Sequence, residues 1–377
     1  MIDSSMRADG VVLSRVAIVT IGATFLFMGL VVSAYGPLLE HLTRRFAVSL
    51  PVAGSTISIH FAASMAGVLI AMRSIERLPA RVTVTPAMLV VGIGCAVVAV
   101  APAWTVFVIG VSIIGLGFGA LVLSLNQVVA HSEGRRRAAL LNALNGAYSA
   151  GAVAGPILVA AFAEAHFAQL YVVAGAVALA LIAGAARISG RLPVATGSPS
   201  RPGLLVAVFV VAFTLYVGIE NGTGGWMTSH LEFTGLRSQD AATVTSGFWL
   251  ALVTGRLLMA LVPARVSEAH IVLAGAATAT VALLIATIGV AAPVAYVLAG
   301  FALAPIFPTG IVWLAKLRSG DARATSWLFP AASVGGTLGP GAIGVVIAGF
   351  GLGAAPLVLA LVGVTMTIAF ALAARLR

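Results

Sequence analysis

Glu220 is the residue in this chain whose setting most directly suggests chemistry. It stands beside Asn221 inside the apolar run from Val206 to His230, VAVFVVAFTLYVGIENGTGGWMTSH, and is followed by Gly222, Gly224, Gly225 and Trp226. An ionised acid held at membrane depth costs roughly 2.5 to 3.5 kcal/mol on insertion scales, so a span that keeps one turns it toward a protein interior or a water-filled cavity. Burial without an adjacent guanidinium would favour the protonated carboxyl, which suits a proton carrier. The alternative is an acid held protonated by Asn221 or a carbonyl, serving as interhelical glue. The glycines beyond it weaken a helix, and irregular backbone at this depth is expected only where it lines a cavity or is packed in protein.

The remaining polar residues sort by depth. At about 1.5 Å of rise per residue, His60 lies roughly 14 Å into its apolar run, near the middle of a bilayer. It reads equally as a protonatable or solute-binding imidazole and as a neutral histidine bonded to a carbonyl of its own bundle. Asn126, Gln127, Asn142, Asn145 and Tyr148 form the densest uncharged polar set of the first half. Amides and hydroxyls both donate and accept, which suits a polyhydroxylated solute, although helix-to-helix bonding explains some of them equally well. Trp226, Trp249 and Trp313 offer apolar ring area with one donor each for stacking on a sugar's C–H face. Counting rise from the expected cytoplasmic ends puts Glu220 about 24 Å and Arg256 about 10 Å deep, which predicts that the two do not pair. Arg256 then reads as a helix-end anchor or a gate contact, with Arg77 and Arg81 as further gating candidates.

Composition decides what must hold these residues in place. The chain has 377 residues, 60% hydrophobic and 8% charged, whereas a soluble domain needs roughly a quarter of its residues charged to cover its surface. An integral membrane protein follows. The net charge of +10 is spread between apolar runs and reads as topology signal, which excludes a nucleic-acid face. Cys95 is alone and reads as a small buried hydrophobe. H-E-x-x-H, P-loop, cysteine-cluster and Ser-His-acid patterns are all missing from the sequence, so neither an enzyme, a metal site, a bound cofactor nor an ATP-driven pump is expected.

Twelve runs reach spanning length: 16–39, 52–72, 83–100, 105–130, 138–163, 169–186, 204–227, 241–262, 271–290, 294–314, 324–350 and 354–374. They lack the two-residue alternation of barrel strands, so helices are predicted. The polar leader runs straight into the first span with no clear cleavage site, and is expected to remain as an anchor. Of the 21 Lys and Arg, only Arg44, Arg45 and Arg237 fall on one side of the alternation, while Arg256 lies within span eight and all others fall opposite. The positive-inside rule therefore predicts that both termini and the loop after span six are cytoplasmic. That loop, RISGRLPVATGSPSRPG, is rich in turn residues and divides the chain into a six-helix half, 1–186, a linker, 187–203, and a second six-helix half, 204–377.

The halves echo one another. Gly151-x-x-x-Gly155-Pro156 in span five returns as Gly335-x-x-x-Gly339-Pro340 in span eleven, and Leu78-Pro79-Ala80-Arg81-Val82 returns as Val262-Pro263-Ala264-Arg265-Val266. Duplicated six-helix halves related by an axis normal to the membrane describe major facilitator transporters, whose solute site lies at the repeat interface near the midplane. The proline in each Gly-Pro pair is expected to bend a helix lining the pathway.

At the level of motifs, GLGFG from Gly115 with Asn126, LNALNGAYSAGAVAGP from Leu141, LYVGIENGTGGW from Leu215, GFWLALVTGR from Gly247, APIFPTG from Ala304 and FPAASVGGTLGPG from Phe329 resemble the fucose-galactose-glucose:proton symporter branch of the major facilitator superfamily. The resemblance covers essentially the whole chain. It implies a fold of twelve transmembrane helices in two pseudo-symmetric six-helix bundles, and proton-coupled uptake of a neutral sugar. Proton-coupled members carry an Asp and a Glu where this chain has Ser33 and Val122, and often a His where it has Asn145. The reading is thus a monomeric secondary transporter in a bacterial cytoplasmic membrane, moving a small neutral polar solute with protons, Glu220 and His60 being the coupling candidates. Its rivals are a proton-linked exporter of hydrophobic compounds, since Gly151-x-x-x-Gly155-Pro156 resembles the drug-antiporter motif, and a non-transporting solute sensor.

Overall fold

The computed structural model describes residues 13–75, 77–130, 137–188, 203–259, 265–318 and 324–376. Most of the linker, together with Arg7, Glu76, Arg135, Arg136, Arg191, Arg201, Arg323 and Arg377, lies outside the described residues. In hydrocarbon every backbone N–H and C=O must find its partner within the chain, and helices do this segment by segment. The described residues accordingly form α1 (Arg15–Phe46), α2 (Leu50–Ile75), α3 (Ala80–Ala99), α4 (Trp104–Ala130), α5 (Arg137–Ala185), α6 (Leu204–Phe233), α7 (Ser238–Leu258), α8 (Glu268–Ile285), α9 (Ala292–Leu303), α10 (Ile306–Leu317), α11 (Leu328–Phe350) and α12 (Ala355–Arg375), with no strand among them.

Eleven segments among the described residues are long and apolar enough to cross a bilayer, and α5 supplies a twelfth crossing. It contains the fifth and sixth predicted spans, which meet without a loop where His166 alone leaves helical geometry (φ −133°, ψ 32°). The seventh predicted span is therefore α6. The tenth predicted span, 294–314, falls within the single crossing Gly289–Leu317, along which α9 ends at Leu303 and α10 begins at Ile306. Pro305 between them brings no N–H, so the hydrogen-bond ladder is interrupted there while Ala304 and Pro305 keep right-handed helical backbone.

The glycines after Glu220 were expected to loosen the backbone, yet α6 is one unbroken helix of 30 residues through Gly222, Gly224 and Gly225. They serve close approach instead. A Cβ on Gly224 would stand 2.7 Å from Cζ2 of Trp249, and one on Gly225 would overlap Cδ1 of Ile57. Small residues at helix crossings let backbones meet where lipid supplies no hydrophobic drive between helices.

The described residues pack as two compact units. Among the described residues, one holds those up to Leu30, those of Ile59–Gly151 and the second arm of α5; the other holds Val31–Ser58, Ala152–Glu164 and those from α6 onward. In the first unit, α3 lies along α4, and a Cβ on Gly119 of α4 would overlap the Ser64 carbonyl of α2. A Cβ on Gly151 of α5 would overlap the Leu26 carbonyl of α1 and stand 2.9 Å from the Leu30 nitrogen. In the second unit, α6 packs chiefly on α11 and α12. A Cβ on Gly335 of α11 would overlap the Thr214 carbonyl of α6 and stand 3.0 Å from the Gly218 nitrogen. The two echoed glycines thus do the same work in each unit, each seated on an i carbonyl and an i+4 nitrogen of a partner helix. Their helices run on through Pro156 and Pro340.

Gly119→Ala is expected to lower stability by about 1–3 kcal/mol, because α2 and α4 must part to admit the methyl group. Gly146→Ala, with nothing within 4 Å of the added Cβ, is expected to be neutral or stabilising by about 0.5–1 kcal/mol. Apparent melting temperatures of the two variants in one detergent check the contrast.

Candidate functional site

Glu220 lies on α6 in the second unit, with Arg256 facing it from the last turn of α7. Nη2 of Arg256 donates to Oε1 of Glu220 at 3.2 Å and lies 3.5 Å from the Tyr216 hydroxyl. The predicted separation of these two residues is therefore wrong, and with it the premise that the acid stands apart from any guanidinium. The depth count began at the far ends of two helices of unequal length. Counted from the short turn that joins α6 to α7, Glu220 is 13 residues in, about 20 Å, and Arg256 is 18 residues in, about 27 Å. A difference of about 7 Å is within reach of an arginine side chain, so Arg256, though in the last turn of α7, reaches the Glu220 carboxylate.

Tyr216, one helical turn before Glu220 and fully buried, was not picked out from sequence. Its i, i+4 relation to Glu220 was the available signal. The ring rests on Phe307 of α10 at 6.1 Å, and Phe307 in turn meets Phe213 at 5.3 Å. Further along, Phe209 meets Trp313 edge-on at 4.9 Å, and Phe370 of α12 closes the group. The tyrosine beside the ion pair thus rests on an aromatic bed. Trp313, a stacking candidate, is part of that bed and is 3% exposed.

Magnitudes decide what such a pair does. At an effective dielectric constant near 20, two unit charges 4 Å apart attract by about 4 kcal/mol, but taking both out of water costs several kcal/mol per ion. With Glu220 14% and Arg256 30% exposed, neither term is complete, and the net contribution to stability is small. Loss of one partner is different, since it strands the other charge in a poorly solvated place.

The other candidates divide between the units. In the first, His60 is fully buried on α2, its ring edge-on to Phe118 at 4.8 Å and Phe61 at 5.4 Å. Asn126 and Gln127 are half-buried on α4; on α5, Tyr148 is half-buried and Asn145 exposed. Asn126 donates to the Val122 carbonyl at 2.7 Å, and in the second unit Asn221 donates to the Val217 carbonyl at 3.1 Å. Each amide bonds its own helix one turn back, so these bonds are not interhelical glue. Trp226 is fully enclosed and donates from Nε1 to the Pro340 carbonyl at 2.9 Å, while Trp249 is 6% exposed beneath Gly224. Arg77, in the turn between α2 and α3, and Arg81, in the first turn of α3, are exposed and make no ion pair among the described residues. Sequence reasoning also passed over two buried polar pairs toward the far end of α6, Thr228 with Thr245 at 2.7 Å and His230 with Tyr296 at 3.1 Å.

Arg256→Met alone is expected to lower stability by about 1–3 kcal/mol by stranding Glu220, and Glu220→Gln/Arg256→Met to recover most of the loss. Apparent melting temperatures of the two single variants and the double variant check this; additive losses would contradict it.

The chain matches the model of the Major Facilitator Superfamily over residues 21–219. Among solved structures it is similar to a bacterial homologue of the human lysosomal transporter Spinster, inward-facing and unoccupied, at 12% identity over 95% of this chain and 96% of that one, with a TM-score of 0.78. It is also similar to a point mutant of the nucleoside transporter NupG, at 14% identity over 95% of this chain and 100% of that one, with a TM-score of 0.77. No curated protein matches it. Identities this low speak for a shared fold alone. With more than half the chain under one family model and its helical plan shared with solved carriers, the chain belongs to the Major Facilitator Superfamily and is a membrane transporter rather than an enzyme.

Proposed function

We propose that this carrier takes up a small neutral polar solute, a sugar by class as in the fucose-galactose-glucose branch, together with protons by alternating access. The moving bodies in this reading are the six-helix halves, 1–186 and 204–377, joined by the linker 187–203. Both termini face the cytoplasm of a bacterial inner membrane, and the working unit is the monomer. The observation that carries the proposal is the Glu220–Arg256 pair, a titratable acid held at membrane depth by a single guanidinium. A proton arriving on Glu220 neutralises the carboxylate and removes the charge that holds Arg256, so α6 and α7 lose a tie whenever the proton is aboard. The pair takes the coupling role that Ser33 and Val122 leave vacant by their chemistry.

Asn126, Gln127, Asn145 and Tyr148 are the proposed hydroxyl-binding groups of the first half, with Asn221 in the second and His60 as a further proton candidate. Trp249 and Trp313 shape the apolar wall. Trp226, enclosed in this conformation, can meet solute only after its cover is removed. The second reading is a proton-linked exporter of hydrophobic compounds, although close packing of α5 on α1 accounts for Gly151 of the antiporter-like motif without it. A nucleoside is also a neutral polar solute, and it belongs in the same screen.

Proteoliposomes under an inward proton gradient are expected to accumulate a labelled monosaccharide or nucleoside from such a screen. Glu220→Gln is expected to reduce gradient-driven accumulation at least about tenfold while exchange of internal for external solute persists. Unchanged accumulation in that variant would remove Glu220 from the coupling role. Expulsion of a lipophilic dye, with no uptake of any neutral polar solute, would replace import with export.

A further inference from the structure

Within the second unit, the end of α1 and the start of α2 are packed directly on α6 and α11, and the packing is unusually close. A Cβ on Gly36 of α1 would overlap the Gly224 carbonyl, and one on Gly225 would overlap Cδ1 of Ile57 in α2. A Cβ on Gly341 of α11 would stand 2.8 Å from Oγ of Ser58. At the centre is the indole of Trp226. A Cβ on Gly54 of α2 would overlap its Cζ2 and Cη2, and a Cβ on Gly344 of α11 would stand 3.0 Å from Cζ2. The ring therefore fills a slot between two glycines, anchored at Nε1 by the Pro340 carbonyl. Gly54 and Ile57 belong to the first sequence half, whereas Trp226, Gly344 and Pro340 belong to the second.

We propose that Trp226 is the removable plug of a gate on the side of the bilayer where α1 ends and α2 begins. The inference rests on the alternating-access reading and adds to it the element that shuts this side. Trp226 lies six residues beyond Glu220 on α6, about 9 Å nearer that face, so the seam stands between the ion pair and the outside. Opening there requires α2 to withdraw Gly54 from the indole and Ile57 from Gly225. The indole stays with α11 through its bond to Pro340. Only glycine at 54 lets α2 come down onto the ring, so a side chain there props the seam open. The positive-inside pattern puts this side opposite the cytoplasm.

The test reads the conformation and not the solute. Ile57→Cys, 3% exposed at the parent position, places a thiol at the seam in a protein whose one natural cysteine, Cys95, is buried. Labelling by a membrane-impermeant maleimide is measured on proteoliposomes of this variant alone and combined with Trp226→Ala, Trp226→Phe or Gly54→Ala. Trp226→Ala and Gly54→Ala are each expected to speed labelling at least about fivefold by shifting the population toward the open state. Trp226→Phe, which keeps a ring in the slot, is expected to stay within about twofold of the parent. The plug is overturned if both alanine variants, monodisperse and as thermally stable as the parent, label no faster, or if Trp226→Phe loosens the seam as much as Trp226→Ala. Since no solute enters the assay, a wrong assignment of sugar or proton leaves its result intact, and transport that persists beside unchanged labelling would retain the carrier and remove the plug.

Discussion

The close crossing of helices at glycine is the constraint on which the rest of this structure depends. Inside a bilayer, lipid tails are as apolar as leucine, so helices are not driven together by the hydrophobic effect. They hold by van der Waals contact and by a few polar bonds, both of which need backbones to come near. Gly151 on Leu26 and Gly335 on Thr214 achieve this at matching places in the two halves. Along α6, Gly218 lies against Gly339, Gly224 against Trp249 and Gly225 against Ile57, so its neighbours pack close on either side of Glu220.

Along α6 the polar contacts form a series. Tyr216 and Glu220 meet Arg256, Trp226 meets the Pro340 carbonyl, Thr228 meets Thr245, and His230 meets Tyr296. Buried hydroxyl, indole and imidazole partners satisfy groups that would be costly to leave unpaired. The ion pair is of another kind, since its attraction and its desolvation nearly offset. A contact with little net effect on stability can break and re-form within a working cycle, which a strongly stabilising one could not do readily.

The same helix carries the acid and the indole, and it has no break between them. A rigid element of this sort ties the state of one to the position of the other, because a tilt or slide of α6 against α2 cannot move Trp226 and leave Glu220 where it was. Regular helix is interrupted elsewhere, by the non-helical backbone of His166 within α5 and by Pro305, which brings no N–H, between α9 and α10.

The membrane class, the number of crossings and the pairing of the Gly-x-x-x-Gly-Pro segments were determined by the sequence itself. Composition and run length are local properties, and the demand that backbone groups be satisfied in lipid leaves helices as the answer. Side-chain meeting points were decided only by tertiary structure. Rise per residue gives depth along one helix but neither its offset from a neighbour nor its rotation, so Arg256 was placed too far from Glu220 and Tyr216 was passed over. In the same way, the glycines of α6 read locally as weak points, because glycine lowers helix propensity. Their use became visible only with Ile57, Gly36 and Trp249 against them, since close approach belongs to two helices at once and is written in neither alone.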